Sequence, residues 1–252
     1  MSVQKPSREL PITDTLTLTF NVYRSSFTMF LIPVLISGVV SGISLVLLTV
    51  RLANLAALMR GSFDHLLRYI LDLMPTLLFL GIVSWVMSTL ANGVCIRYAS
   101  DIMSKEHADV RDAFRFTLRK LASLLAAQIV AGLLIVLGFV ALLVPGMVLA
   151  LMFSLVEPVI LAENTGVLKS LSRSRKLVAK RWRKTLAWIL VVAILVGIMQ
   201  GLFGALISLP FGPFSGFVNS IITAAFAPIS PICQTVYYYS MLAREQQSKA
   251  AP

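Results

Sequence analysis

Six long apolar runs constrain this chain more than any other feature of its sequence. They occupy residues 27–50, 75–96, 121–144, 146–162, 185–209 and 217–239. Each run approaches or exceeds the roughly 20 residues that an α-helix needs to cross the hydrocarbon core of a bilayer. The sequence therefore predicts an all-α, polytopic membrane helix bundle with about six transmembrane helices.

The composition agrees with burial in lipid rather than in water. Of the 252 residues, 58% are hydrophobic and 13% are charged, whereas a soluble domain carries about 25% charged residues. A mean hydropathy of +0.86 leaves too little polar surface to cover a globule. The length suits a single integral membrane domain over residues 1–252.

Two pairs of runs are separated by very short segments. The third and fourth runs are divided by Val144, Pro145 and Gly146, and a short stretch rich in Pro and Gly divides the fifth from the sixth. Both segments predict tight helical hairpins. The fourth run is the shortest, so a tilted or partly re-entrant helix remains an alternative for it.

Positive charge is distributed unevenly between the two predicted membrane faces. Six spans place 19 of the 22 Lys and Arg residues on one face and three on the other. By the positive-inside rule, both termini are expected in the cytoplasm. The net charge of +11 is more naturally explained by loops that face anionic lipid than by nucleic acid, because no water-facing module carries it.

Catalytic and metal-binding motifs are scarce. With two His and two Cys in the chain, a zinc site is not expected, and neither is a cofactor. His107 and Asp112 have the H-x4-D spacing of lipid acyltransferases. Both lie on a charged helix, and no Gly-rich phosphate segment follows. A lipid-modifying enzyme is therefore the least favoured function. We predict that the chain is not an enzyme.

The segment from Val167 to Lys184 has the pattern of a basic amphipathic helix. Projection at 100° per residue separates two sets of side chains. The apolar side holds Val167, Leu168, Leu171, Val178 and Trp182, and the basic side holds Lys169, Arg173, Lys176, Lys180 and Arg183. We expect the helix to lie in the cytoplasmic interface on anionic lipid, with Leu171 and Trp182 directed toward the acyl chains.

Weaker amphipathic segments precede the first and third runs, which suggests three copies of one unit, an interfacial helix followed by a transmembrane hairpin. Aligning Phe27 with Trp182 also matches Thr19 with Ser174 and Leu16 with Leu171. The alternative is that any loop leading into a membrane looks amphipathic.

Glu157, followed by Pro158, is the clearest anomaly inside an apolar run. An acid at the centre of a transmembrane helix costs about 2.5–3.5 kcal/mol on insertion scales, so it needs a partner or a function. One interpretation is an ion or proton site, and the favoured one is a Glu near the cytoplasmic end that pairs with an Arg of the basic helix. Pro158 frees a backbone carbonyl and can kink the helix beside it.

Other residues in the runs predict helix breaks and helix contacts. Pro228 and Pro231 are expected to interrupt the sixth run, with packing favoured over a binding site. The pairs Gly38/Gly42 and Gly197/Gly201 have the spacing that lets two helices approach closely.

The stretch from Leu142 to Trp188 resembles the YciC-like inner-membrane family and the membrane domain attached to some glycerophosphodiester phosphodiesterases. The shared features are the Val-Pro-Gly hairpin, the Pro-Val stretch that begins at Pro158, and a Gly-led amphipathic helix with a Ser pair. The resemblance implies a polytopic plasma-membrane protein with no catalytic residues to carry over. Glu157 departs from the small or apolar residue expected before that Pro.

These features leave several functions open. The first is a non-enzymatic, membrane-organising or envelope-regulatory protein whose basic helices bind anionic lipid. The second is a small-molecule or ion transporter or channel that uses Glu157. Self-association and contact with other membrane proteins also remain open.

Overall fold

A computed structural model describes residues 5–53, 63–104, 108–179, 181–208 and 215–250. All regular secondary structure in these ranges is helical. The helices are α1 (Ile12–Ser25), α2 (Phe27–Ala53), α3 (Phe63–Ser104), α4 (Val110–Ala141), α5 (Leu143–Phe153), α6 (Val156–Glu163), α7 (Val167–Val178), α8 (Trp182–Ser208), α9 (Ser215–Phe226) and α10 (Ile229–Ala250).

In the part of the chain that the structure describes, six helical segments are long and apolar enough to cross a membrane. They are Phe27–Leu52, Leu67–Ser104, Val110–Ala141, Leu143–Glu163, Trp182–Leu202 and Ser215–Lys249. This confirms the predicted all-α bundle with six candidate spans. The fourth and sixth spans are each built from two helices, α5 with α6 and α9 with α10.

The hairpin between the third and fourth spans is tighter than predicted. Its turn is at Leu142, and α5 already begins at Leu143, because Pro145 is tolerated in a first turn whose N–H groups have no intrahelical partner. A Cβ on Gly146 would lie 2.5 Å from the Phe139 ring, so only glycine fits there. The predicted hairpin between the fifth and sixth spans falls on residues 209–214, outside the described ranges.

One of the two glycine pairs forms a close helix contact. A Cβ on Gly38 would lie 2.9 Å from the Cβ of Ala224, and one on Gly42 would lie 2.7 Å from the Phe217 ring. This confirms the prediction for the first pair, which brings α2 against α9. The prediction for Gly197 and Gly201 is wrong, because their Cβ positions meet no atom within 4 Å among the described residues.

The C-terminal helix α10 is the centre of the bundle. Its consecutive residues Tyr237, Tyr238 and Tyr239 are buried and point in three directions, since neighbours on a helix are about 100° apart. Their hydroxyls bond Thr185 of α8, Glu163 of α6 and Ser100 of α3, respectively. The Tyr237 ring also stacks on Trp188 with centroids 4.4 Å apart. One helix therefore holds three others.

Two of the three suspected repeat units have matching registers. The pairs α1–α2 and α7–α8 both place the second helix start 15 residues after the first, and α2 and α8 both have 27 residues. Thr19 and Ser174, which the sequence alignment pairs, are both fully buried. In the middle unit the amphipathic segment is continuous with the span, because α4 runs unbroken from Val110 to Ala141.

Candidate functional site

The polar site inside the spans is centred on Glu157. The Gln128 amide Nε2 donates to Glu157 Oε1 at 2.7 Å, and Gln128 Oε1 accepts from Trp85 Nε1 at 2.8 Å and from Thr89 Oγ1 at 3.1 Å. The chain of hydrogen bonds joins α3, α4 and α6. The prediction that Glu157 pairs with an Arg of the basic helix is wrong, because its partner in the structure is the neutral side-chain amide of Gln128.

Pro158 lies beside a break in the fourth span. Because proline has no N–H, it cannot bond the Ser154 carbonyl four residues earlier. The Gln234 side-chain amide of α10 donates to that carbonyl instead. Ser174 Oγ of α7 donates to the Met152 carbonyl at 2.6 Å and accepts from the Leu155 N–H at 3.2 Å. The break is thus stabilised by side chains from two other helices.

The sixth span is interrupted in the same way. It breaks at Ala227 and Pro228, and Pro231 is the third residue of α10, as Pro158 is the third residue of α6. This confirms the predicted break. A cavity of about 390 Å³ lies beside α8 at the two breaks, and its polar lining is Ser154, Gln200, Ser230 and Gln234. The rest of the lining, which includes Trp188, Ile189 and Val192, is apolar. Broken helices that meet at a cavity can form solute sites in transporters.

The predicted basic amphipathic helix is divided between two helices. It ends at Val178, and Trp182 begins α8. Leu171 is 6% exposed and belongs to a buried apolar cluster that also contains Ile96 and Leu124. The prediction that Leu171 contacts acyl chains is therefore wrong, because Leu171 and Val178 are buried within the protein, whereas Leu168 of the same apolar side is 77% exposed.

The cations predicted at the lipid interface have separated into two groups. Lys169, Lys176 and Arg183 are exposed, and so is Arg175, which the projection left off the basic side. Trp182 is 48% exposed, as expected for a residue directed outward. Lys180 lies outside the described residues. Arg173 differs from all of these, because it binds carboxylates within the protein.

Arg173 holds what we call the Arg173 cluster. Its guanidinium lies 2.9 Å from Glu163 Oε1 at the end of α6 and 2.6 Å from Glu245 Oε2 of α10. Tyr238 also donates to Glu163. The hydrogen bond to Glu245, opposed by burial and reinforced by Glu163, raises the pKa of Arg173 above its ordinary value. The cluster fastens α7 to the bundle.

The Glu9 cluster lies at the same end of the bundle and has the opposite composition. Glu9 contacts Lys184 at 2.6 Å, Arg181 at 3.3 Å and Arg244 at 3.6 Å. Burial alone would raise the pKa of the Glu9 carboxyl, but the hydrogen bond from Lys184 and the three positive charges outweigh it and lower that pKa. This cluster ties the N-terminal segment to α8 and α10.

The structure describes no arrangement of His107 with Asp112 that would support the enzymatic alternative. His107 lies outside the described residues, and Asp112 is exposed in the first turn of α4. Within the described ranges, no group of three or more His, Cys, Asp or Glu side chains is placed to hold a metal ion.

Sequence reasoning missed the partners of these sites. Gln128 and Gln234 are polar residues inside apolar runs, and that signal marks both as candidates for helix-to-helix hydrogen bonds. Ser174 was noted in the repeat alignment, as the match of Thr19, but not as a partner of the backbone at the break. The acids Glu9, Glu163 and Glu245 gave no signal, because they lie in polar segments where acids are ordinary.

Comparisons with known proteins return nothing for this chain: no family model, curated protein or solved structure matches it. The YciC-like resemblance stays a prediction that rests on the motifs between Leu142 and Trp188. What the sequence and structure together give is a bundle with six helices suited to cross a membrane, the pattern of a polytopic membrane protein.

Proposed function

We propose that this chain is a non-enzymatic, multi-pass protein of a plasma or inner membrane that binds anionic lipid head groups and has a membrane-organising or envelope-regulatory role. One observation carries the proposal, the exposed set of cations on α7 and at the start of α8, which we call the basic surface. Its members are Lys169, Arg175, Lys176 and Arg183.

Both parts of an interfacial surface are present there. The four cations can each gain up to about 1 kcal/mol beside an anionic leaflet, less than additively. Leu168 and Trp182 are 77% and 48% exposed, so apolar side chains can enter the head-group region next to the charges. The inner face of α7 is fixed by the Arg173 cluster and by Leu171. The helix therefore presents its charges on a rigid support.

The test uses the full chain in phosphatidylcholine vesicles that contain spin-labelled phosphatidylglycerol or phosphatidylcholine. We expect the anionic label to be enriched around the protein and the enrichment to fall with salt, since charges are screened over about 8 Å at physiological ionic strength. Lys169→Gln with Lys176→Gln should reduce the enrichment. Arg51→Gln with Arg68→Gln removes the same charge from exposed cations on the opposite face, and should not. Equal losses in both variants would refute the role of the basic surface.

The orientation is tested by cysteine labelling in a background without Cys95 and Cys233. The fully buried Ser174 would be a poor reporter, whereas Ser172 on the same helix is exposed. Ser215→Cys, at the opposite end of the bundle, should react with an impermeant maleimide outside intact cells, and Ser172→Cys only after the membrane is opened. The reverse pattern would overturn the proposal that both termini are cytoplasmic.

The second candidate is an ion or small-molecule carrier, which the Glu157 network and the two broken spans favour. In proteoliposomes with a trapped pH-sensitive dye, a proton-coupled carrier should show flux that Glu157→Gln abolishes, because glutamine can accept from Gln128 but cannot exchange a proton. Thr49→Ala is the control, because Thr49 bonds a carbonyl of its own helix and lies outside both the Glu157 network and the cavity at the breaks. Flux that is unchanged in Glu157→Gln would exclude a coupling role for this residue.

A further inference from the structure

A groove of about 420 Å³ lies between α2, α3 and the first turns of α4. Its lining is apolar except for Arg111 and Arg115, and Ile36, Met87 and Phe114 represent the three helices that form it. Its volume is within the roughly 300–1,000 Å³ typical of ligand pockets. Along α3 the groove extends from Met87 to Val94, which is about 10 Å at 1.5 Å per residue.

The groove opens sideways, where a bilayer would surround the helices. Ile32 is 46% exposed, Ile36 is 52% exposed and Phe114 is 42% exposed, so its rim is apolar and accessible. All three belong to helices that can cross a membrane. A hydrocarbon chain can therefore enter from the bilayer without passing through water.

The two arginines give the groove a charged end. Arg111 and Arg115 are four residues apart on α4, and therefore on one face of it, and both are exposed. The nearest acids in sequence are Asp109, whose carboxylate accepts from the Arg111 backbone N–H at 2.9 Å as the α4 cap, and the exposed Asp112. Neither lines the groove. The groove thus combines an apolar channel with two cations at one end.

We propose that this groove binds one anionic phospholipid. An acyl chain lies between α2 and α3, and the phosphate is held by the guanidinium groups of Arg111 and Arg115, whose planar donors match phosphate oxygens in pairs. The site is separate from the basic surface on α7 and does not depend on it. It is a discrete, single-lipid site, whereas the basic surface collects head groups by charge.

The two arginines at the end of the apolar groove favour a phospholipid over a second copy of this protein as the occupant. An apolar helix from a second copy would fill the channel but leave two arginines at its end without acceptors, whereas a phospholipid supplies the chain and the phosphate in one molecule. A free phosphate ion would satisfy the arginines and leave the apolar channel empty.

The experiment is native mass spectrometry of the full-length protein released from detergent, with phosphatidylglycerol or phosphatidylcholine added. We expect one phosphatidylglycerol to remain bound at lipid concentrations where phosphatidylcholine is lost. Arg111→Gln with Arg115→Gln should weaken phosphatidylglycerol binding by about tenfold or more. Arg119→Gln, an exposed cation one turn further along α4 and outside the groove, is the matched control and should bind as the wild type does.

A second variant tests the channel. Met87→Trp should fill the groove and weaken the binding of both lipids, and a thermal unfolding scan checks that the fold persists. The proposal is overturned if the arginine variant retains phosphatidylglycerol, if inorganic phosphate at millimolar concentration displaces it, or if the groove is closed by dimerisation that lipid does not reverse. Unchanged groove binding in Lys169→Gln with Lys176→Gln separates this site from the basic surface.

Discussion

The Glu9 cluster and the Arg173 cluster lie at the same end of the bundle and are built with opposite signs. In the first, one carboxylate serves three cations, which are 24–48% exposed. In the second, one guanidinium serves two carboxylates, which are 27% and 29% exposed. Both reach α10, at the adjacent residues Arg244 and Glu245.

The two clusters differ in the sign of the charges that remain unpaired when the central residue, Glu9 or Arg173, is removed. Cations released from Glu9 can turn to water or to anionic lipid, which attracts them. Glu163 and Glu245, once released from Arg173, would face each other as two negative charges, and anionic lipid would repel both of them. The two clusters have similar geometry, but we expect the loss of Arg173 to lower the free energy of unfolding more than the loss of Glu9.

The largest effect is expected for Arg173→Met. It removes charged hydrogen bonds to two partly buried carboxylates, and should lower the free energy of unfolding by about 3 kcal/mol. Thermal unfolding in an uncharged detergent measures this. Arg175→Met, two residues away and exposed, is the control and should stay within about 0.5 kcal/mol of the wild type. Equal effects from the two variants would mean that the cluster contributes nothing specific.

The next effect is pH-dependent and belongs to Glu9. Because the folded state lowers the pKa of Glu9, its contribution is complete above the ordinary value of 4.5 and is lost as the pH falls through the folded-state pKa. Glu9→Gln should therefore be less stable than the wild type by about 1.5 kcal/mol at neutral pH. The difference should shrink progressively below pH 4.5. A difference that is constant from neutral to acid pH would contradict the assigned pKa direction.

A smaller effect is expected for Arg173→Lys. The ammonium keeps the charge but lacks the planar donor fork that reaches Glu163 and Glu245 together. We expect a loss of about 1 kcal/mol, roughly one charge-assisted hydrogen bond. A lysine variant as unstable as Arg173→Met would show that geometry, rather than charge, dominates the cluster.

The smallest effect is expected for Lys249→Gln. Its ammonium lies 3.2 Å from Glu245 Oε1 but the side chain is 75% exposed, and exposed pairs four residues apart contribute about 0.3–0.5 kcal/mol. A shift in unfolding temperature close to experimental error is the expected result. A loss as large as that of Glu9→Gln would show that exposure does not decide the strength of these pairs.

Much of the fold could be predicted because its signals are local. The length and apolarity of a run suffice to indicate a span, and Pro228 and Pro231 together mark the break in the sixth span. A single proline does not suffice, because Pro33 and Pro75 lie inside the unbroken helices α2 and α3. Neither the apolar run nor the proline pair depends on which helices become neighbours. The same holds for Gly38 and Gly42, although Gly197 and Gly201 show that spacing alone does not produce a contact.

The partners could not be predicted because they depend on helix arrangement. Gln128 and Glu157 are 29 residues apart, and only the packing of α4 against α6 brings them together. Projection showed an apolar stripe on α7 but not its direction, since protein interior and lipid are both apolar. For the same reason Arg173 was indistinguishable from Lys169 and Lys176, although it alone among these three faces inward to carboxylates.

The central position of α10 has a consequence for biosynthesis. Spans insert as separate helices and pack afterwards, and α10 leaves the ribosome last among the helices described. Ser100 is made 139 residues before its partner Tyr239, an interval of roughly 7–28 s at about 5–20 residues per second. During that interval α3 lacks its partner, and α6 and α8, which are made later within it, also enter the bilayer before the helix that joins all three. Chaperones and quality-control proteases of the membrane therefore meet α3, α6 and α8 as a loose set of helices until α10 is inserted.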